Sequence, residues 1–275
     1  MSSLDTVMTE LTVSAVTWLI WDWCLTFDDE VRFVWSKSYK VPIKWAFLSA
    51  RYVGILSLCS GHILNLIPIS CQAKLGLLLA LDQILVTTVE IIMVLRVHAL
   101  YNRNHRMGIF LGFLAISGTI AEILGWALSM PVAQFDPQCV VIHIGPSSPS
   151  FLIIFLAIDG LFLLLTLLKC IHAIKTSGNW VPVISVMLRD GTLAFFAITA
   201  LMLPNIILLI TAHGAFAQIL TPHFTAMMSC LGCRLILNMQ RLPLNLERQH
   251  STTESLPMLT SNIAITIESR STEAT

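Results

Sequence analysis

Residues 151–174 read FLIIFLAIDGLFLLLTLLKCIHAI, a run in which Asp159 and Lys169 are the only acidic residue and the only lysine or arginine. A helix of about 20 residues crosses the roughly 30 Å hydrocarbon core of a bilayer, so this run is long enough to span it. Its apolar residues are continuous instead of alternating with polar ones, which favours a helix over a barrel strand. The stretch therefore predicts a transmembrane helix.

Six further stretches have the same character, and the composition of the chain agrees with them. Hydrophobic residues make up 56% of the chain and charged residues only 12%, with a mean hydropathy of +0.79. A soluble domain usually carries about twice that share of charge. The sequence thus predicts an all-α fold, a seven-transmembrane helix bundle within residues 1–240. We place its helices at about 7–27, 45–69, 73–95, 108–130, 151–174, 192–212 and 219–237.

The basic residues predict which side of the membrane each connection faces. Of the 16 Lys and Arg residues, all but Lys74 and Arg51 fall on one side of the predicted helices. Cytosolic connections carry an excess of Lys and Arg, so the N-terminus is predicted outside and the C-terminus in the cytosol. The first 17 residues contain no Lys or Arg and carry Asp5 and Glu10, so we expect no cleaved signal peptide.

The composition changes after the seventh predicted helix. Residues 241–275 are rich in Ser, Thr, Glu and Arg and show no sustained helical periodicity. Such a segment buries too little apolar surface to fold alone, which predicts a disordered cytosolic tail. Its hydroxyl residues are candidate phosphate acceptors, or they simply keep the tail soluble.

Two charged residues lie at equal depth near the predicted cytosolic ends of helices one and two. Asp22 precedes the end of helix one by five residues, and Arg51 follows the start of helix two by six. At the rise of an α-helix, both lie roughly 8 to 9 Å deep. We expect a structural ion pair between Asp22 and Arg51, because charges in hydrocarbon usually pair. The alternative is that Arg51 extends to the lipid headgroups.

Three carboxyl residues share a depth in the predicted outer half. Asp82, Glu122 and Asp159 lie on helices three, four and five, about 12 to 14 Å from the outside. Together they predict an acidic outer pocket whose natural guest is a small cationic ligand or a proton. The alternative is that each carboxyl is protonated and hydrogen-bonded to a neighbouring helix.

Other residues give weaker signals. Cys71 and Cys139 fall in predicted outer connections, where a disulfide is possible but where both can also stay free. Glu90 and Arg96, near the inner end of helix three, compare only loosely with the ionic lock of G-protein-coupled receptors, since no acidic residue adjoins Arg96. Pro204 is a hinge or a static bend of helix six.

A more specific signal lies in the first third of the chain. Residues 22–35, DWCLTFDDEVRFVW, followed by Ala50, Arg51 and Tyr52, resemble a family of membrane proteins from mushroom-forming fungi, domain of unknown function 6533. That family has Asn where Ala50 stands here. RVHALY at 96–101 and RLILN at 234–238 are also similar to its motifs. The resemblance implies a seven-helix fungal integral membrane protein and brings no established activity.

Several functional classes lack their motifs in this chain. No compact histidine ligand set, Gly-x-Ser-x-Gly motif or basic aromatic patch occurs, so we expect no catalytic residue, metal, cofactor or nucleic-acid partner. A retinal Schiff base needs a bundle lysine, and no lysine follows Lys175. We expect a receptor-like sensor in the plasma membrane or an endomembrane, whose partners are the lipid bilayer, a cytosolic signalling partner and a small cationic ligand. The alternative is a small-solute or proton-coupled transporter, although no internal repeat supports it.

Overall fold

The described part of the chain is almost entirely helical. The computed structural model describes residues 3–36, 42–64, 67–101, 104–135, 139, 141–143, 148–177, 182–211 and 219–241. The chain divides into two compact units, Met1–Ile236 and Leu237–Thr275, and the site lies in the first. Apart from Arg241, the predicted cytosolic tail lies outside the described residues.

Within the described part of the chain, a helix includes most of each predicted membrane segment. The first helix is Ser3–Glu30, continued by a π-helical turn at Val31–Trp35; the second consists of Pro42–Leu48, a π-helical turn at Ser49–Val53, and Gly54–Ile63. The third is Cys71–Leu100, and the fourth is His105–Ser129 with a short 3-10 turn at Met130–Val132. The fifth is Ser148–Ser177, the sixth Pro182–Thr211, and the seventh covers 221–241.

Four of these helices are long and apolar enough to cross a membrane, within the described part of the chain. They contain the segments Cys71–Leu100, His105–Val132, Pro149–His172 and Gly191–Thr211. The fourth helix exposes large apolar side chains such as Phe113, Ile116 and Leu128. Such a surface would aggregate in water but suits hydrocarbon. The protein is therefore a helical membrane protein.

The other three helices are less apolar or less regular, so the seven-span arrangement stays a prediction. The first helix carries Asp22 and ends in three consecutive acidic residues, and the seventh carries Arg234. A π-helical turn divides the second helix. Several of their charged side chains are buried between helices, namely those of Asp22, Glu30 and Arg51.

Several helix boundaries differ from those predicted, and the second and third helices show two physical reasons. The second helix ends at Ile63 instead of residue 69, and Pro68 lies in the connection that follows. Proline lacks a backbone N–H and disfavours helical geometry in the residue before it. The third helix extends to Leu100, five residues past the predicted end at 95, because Arg96 and His98 continue the helix beyond its apolar part. An apolar run marks the part of a helix that lies in the hydrocarbon core, and the helix itself can extend beyond it.

The connection between the fourth and fifth helices contains two short antiparallel strands. Gln134–Phe135 pairs with Val141–His143. Cys139, between the strands, is joined by a disulfide to Cys71 at the start of the third helix, with 5.1 Å between their Cα atoms. The cross-link ties this connection to the third helix.

Close helix contacts hold the functional part of the bundle in place. Ala15 and Leu19 of the first helix form a buried cluster with Leu58 of the second and Ala226 and Cys230 of the seventh. The third helix packs against the second, fourth and fifth. It is therefore central, and side chains on it reach several neighbours.

Candidate functional site

An acidic cavity lies in the half of the bundle that carries the disulfide. The third helix contributes Asp82 and Gln83 to its wall, the fourth contributes Glu122 and Trp126, and the sixth contributes Asn205. Its volume is about 90 Å³. A cavity of that size holds a few water molecules or a small ion but is smaller than most sites for drug-sized ligands.

Asp82 is fixed in this wall by two hydroxyl groups. Ser57 Oγ of the second helix and Thr225 Oγ1 of the seventh lie 2.8 and 3.1 Å from Asp82 Oδ1, and both can donate to it. The two hydrogen bonds fix the orientation of the Asp82 carboxyl group. One side chain thereby joins three helices.

Glu122 and Glu90 form a second polar group beside the cavity. Gln83 Nε2 donates to Glu122 Oε2 at 2.8 Å, and Thr119 Oγ1 donates to Glu90 Oε2 at 3.1 Å. Each of these bonds crosses between the third and fourth helices, so together they place the Glu90 and Glu122 carboxyls next to each other. No donor from another described residue reaches Oε1 of either side chain.

Asp159 lies near this pair but is not among the described residues that line the cavity. It is 4% exposed, and its Oδ2 has no hydrogen-bond partner in the described part of the chain. Its carboxyl acts electrostatically on Glu90. The neighbouring Ile158 packs against Gly118 of the fourth helix. Of the three carboxyl residues expected in one pocket, Asp82 and Glu122 thus line it, whereas Asp159 is not among its described lining residues.

Sequence reasoning assigned Glu90 to the inner end of the third helix and missed its connection with Glu122. The available signal was its spacing from Gln83, since residues seven apart lie on the same helix face. A glutamate side chain is also long, and the Cα–Cβ bond points toward the start of its helix, which brings Glu90 closer to the cavity. Arg96, two turns further on, lines a separate small cavity with Gly191 of the sixth helix.

A buried ion network occupies the opposite half of the bundle. Arg51, 0% exposed, lies 3.4 Å from Asp22 (Nη1 to Oδ2) and 3.7 Å from Glu30 (Nε to Oε2). It also donates to Thr26 Oγ1. Arg234 Nε of the seventh helix approaches Asp22 Oδ1 at 2.7 Å. The expected pair is present as part of a larger group, with two guanidinium groups and two carboxylates.

A further contact at the end of the third helix lies outside its apolar segment. Tyr101 donates its hydroxyl to the Leu165 backbone carbonyl at 3.1 Å, and Lys169 Nζ lies 5.4 Å from the Tyr101 ring centroid. Burial raises the pKa of the Tyr101 phenol, and the nearby Cys170 raises it by a smaller amount. The phenol therefore stays a hydrogen-bond donor at neutral pH and joins the third helix to the fifth.

Comparisons with known proteins match only the beginning of the chain. Residues 11–56 match the model described as Family of unknown function (DUF6533). Searches of curated proteins and of solved structures each give no match. The matched residues include Asp22, Glu30 and Arg51, so most of the buried ion network lies in the part of the chain that is similar to this family.

Proposed function

We propose that this protein is a receptor-like membrane protein that binds a small ammonium-type cation in the acidic cavity. The observation that carries the proposal is the charge of the wall. Asp82 and Glu122 both line the cavity, and no Lys, Arg or His side chain is among its described lining residues. Carboxyl groups in a low-dielectric site need a cation or a proton to balance them. A cationic guest supplies that balance.

The aromatic lining favours an organic ammonium ion over a bare metal ion. Trp126, Phe151, Phe155 and Phe224 contribute to the wall, and the rings of Phe155 and Phe224 pack edge to face with centroids 6.3 Å apart. Aromatic faces attract alkylated ammonium groups, which carry their charge on an apolar surface. The small volume restricts the guest to a cation with few carbon atoms.

The geometry also supports a route from the cavity to the rest of the bundle. Asn205 lines the cavity and directly follows Pro204, which lies inside the sixth helix. Proline removes one helical hydrogen bond, so the helix is easier to bend at this point. We propose that binding of a cation in the cavity shifts the sixth helix. This shift changes the basic cytosolic surface that a signalling partner would bind. A ligand acts in this way only if it binds one arrangement more tightly than the other.

A proton-coupled transporter is the second candidate. The observation that favours it is the position of Glu90, which lies next to the cavity-lining Glu122 but is not itself among the described lining residues. Buried carboxyl chains are typical of proton pathways in membrane transporters. Concentrative uptake of the bound cation into proteoliposomes with an imposed proton gradient separates this function from that of a receptor.

The test is ligand-dependent thermal stabilisation of the purified full-length protein. Methylammonium and tetramethylammonium are compared with the neutral molecules methanol and tert-butanol. A cation at about 100 times its Kd should stabilise the wild type by about 2.7 kcal/mol. Asp82→Asn and Glu122→Gln should reduce this effect, whereas Glu10→Gln, at an exposed position, serves as the matched control. Equal stabilisation by the cations and by their neutral counterparts would overturn the proposal.

A further inference from the structure

We infer that Glu90 and Glu122 share one proton and form a proton-binding site beside the acidic cavity. The bonds from Gln83 to Glu122 and from Thr119 to Glu90 hold the two carboxyls next to each other, and each is almost fully buried, with exposures of 2% and 1%. Two ionised carboxylates so placed repel each other, whereas a carboxylic acid and a carboxylate share a strong hydrogen bond. The site stands on its own; its link to the cavity's ligand rests on the proposed function.

Without this proton, the hydrogen-bond donors around the pair are too few for its four oxygen atoms. Gln83 supplies one donor to Glu122 Oε2, and Thr119 supplies one to Glu90 Oε2. Both Oε1 atoms lack a donor from the other described residues. Buried acceptors nearly always have a partner. A single proton between the two carboxyls is covalently bound to one of these oxygens and hydrogen-bonded to the other.

The charged groups that face the pair do not replace the proton. The fifth helix contributes the Asp159 carboxyl, which supplies no positive charge. On the second helix, Arg51 is turned toward Asp22 and Glu30. The sixth helix has no titratable residue between 191 and 211. On the same helix as Glu90, Asp82 is held by Ser57 and Thr225, and the buried Arg96 lines a separate cavity with Gly191.

Glu122 gives this site its access to water. It lines the cavity and lies next to Glu90, so a proton leaving the pair passes to water in the cavity. Its departure converts the shared acid into a second carboxylate and releases one H⁺ into the cavity. A cation in the cavity stabilises that second carboxylate, so cation binding should release the proton.

Infrared spectroscopy of the full-length protein in lipid nanodiscs tests the shared proton without any ligand. A protonated carboxylic acid has a carbonyl stretch that a carboxylate lacks. We expect one such band to disappear both in Glu90→Gln and in Glu122→Gln, because in each variant the new amide donates to the remaining carboxylate. The same band should persist in Asp159→Asn and Asp82→Asn.

Thermal melting of each variant, with no ligand present, shows that it is folded before its spectrum is compared. Loss of the band in only one of the two glutamine variants, or in neither, would overturn the shared proton. Loss in Asp159→Asn alone would place the proton on Asp159 and overturn it as well.

A second measurement tests the coupling to the cavity. Methylammonium binding should release about one proton per site into weakly buffered solution, and its affinity should rise by roughly tenfold per pH unit over the range in which the pair is protonated. Binding without proton release would overturn the coupling while leaving the proposed function intact. Absence of binding would instead overturn the proposed function, and the infrared result would still decide the shared proton.

Discussion

Individual charged residues show what membrane depth predicts and what it leaves open. Counting residues from helix ends placed Asp22 level with Arg51, and the structure brings them within 3.4 Å. The same count could not show that Glu30 and Arg234 join them, because depth says nothing about which way a side chain faces around its helix. Asp159 shows the same limit: its predicted depth matched that of Asp82, yet it is not among the described residues that line the cavity.

The ion network predicts a large effect of substituting Arg51. Arg51→Met leaves Asp22 and Glu30 with fewer partners in a buried site, which should cost about 3–5 kcal/mol of unfolding free energy. Arg51→Lys should recover only part of this loss, because one ammonium cannot replace the guanidinium fork. Chemical unfolding in detergent micelles measures both effects.

The matched control is Arg32→Met, since Arg32 is exposed. Equal stability of the Arg51→Met and Arg32→Met variants would contradict a structural network. A charge swap of Asp22 and Arg51 is a poor test here, because an arginine at position 22 would face Arg234.

At the scale of helices, the existence of each element was predictable but its contacts were not. Continuous apolar runs mark where helices lie, yet a helix that is apolar on all sides gives no sign of which side faces protein. The fifth helix, with residues such as Ile153, Leu164 and Leu168 exposed, is of this kind. Close contacts at glycines, visible only in the structure, supply the missing orientation.

Gly54 of the second helix predicts a packing test against the seventh. A Cβ at Gly54 would lie 2.6 Å from Ser229 Cβ and 2.7 Å from Ser229 Oγ. Gly54→Ala should therefore destabilise the bundle by about 1–3 kcal/mol, as overpacking does elsewhere. Gly112, where a Cβ meets nothing within 4 Å, is the matched control. Thermal denaturation compares the two alanine variants.

Gly112→Ala should be neutral or up to about 1 kcal/mol stabilising, because alanine favours the helix. Adding Ser229→Gly to Gly54→Ala should restore part of the lost stability, since it removes the side chain that the new methyl meets. Equal melting temperatures for both alanine variants would exclude the close contact between these helices.

The Cys71–Cys139 disulfide predicts a thiol count. The sequence has seven cysteines, and the structure leaves Cys24, Cys59, Cys170, Cys230 and Cys233 free. Mass spectrometry after alkylation of the unfolded, non-reduced protein should therefore detect five labelled thiols, and seven after reduction. Seven labels before reduction would rule out the cross-link. Its removal by Cys71→Ser with Cys139→Ser should cost about 2–4 kcal/mol.

For the whole molecule, the structure supports the predicted class, a helical membrane protein, whereas the predicted number of seven spans awaits a test. The mean hydropathy and apolar runs predict membrane helices, and four of the described helices satisfy length and composition together. The first and seventh helices are long enough but less apolar, because their polar side chains make contacts between helices, and a π-helical turn divides the second helix. The number of spans therefore depends on a measurement of topology.

The excess of basic residues on one side predicts that the N-terminus faces outward and the C-terminus faces the cytosol. An epitope tag at the N-terminus should be labelled by antibody in intact cells. A tag at the C-terminus should be labelled only after permeabilisation. Both termini on the same side would contradict an odd number of spans and the seven-helix arrangement.

The central claim is that the acidic cavity binds a small cation through Asp82 and Glu122. Calorimetric titration of methylammonium into the purified protein in nanodiscs tests it most directly. The wild type and Glu10→Gln should show the same saturable one-site binding, and Asp82→Asn and Glu122→Gln should each weaken it by roughly 30-fold or more. Absence of saturable binding to the wild type, or equal affinity in all four proteins, would contradict the claim.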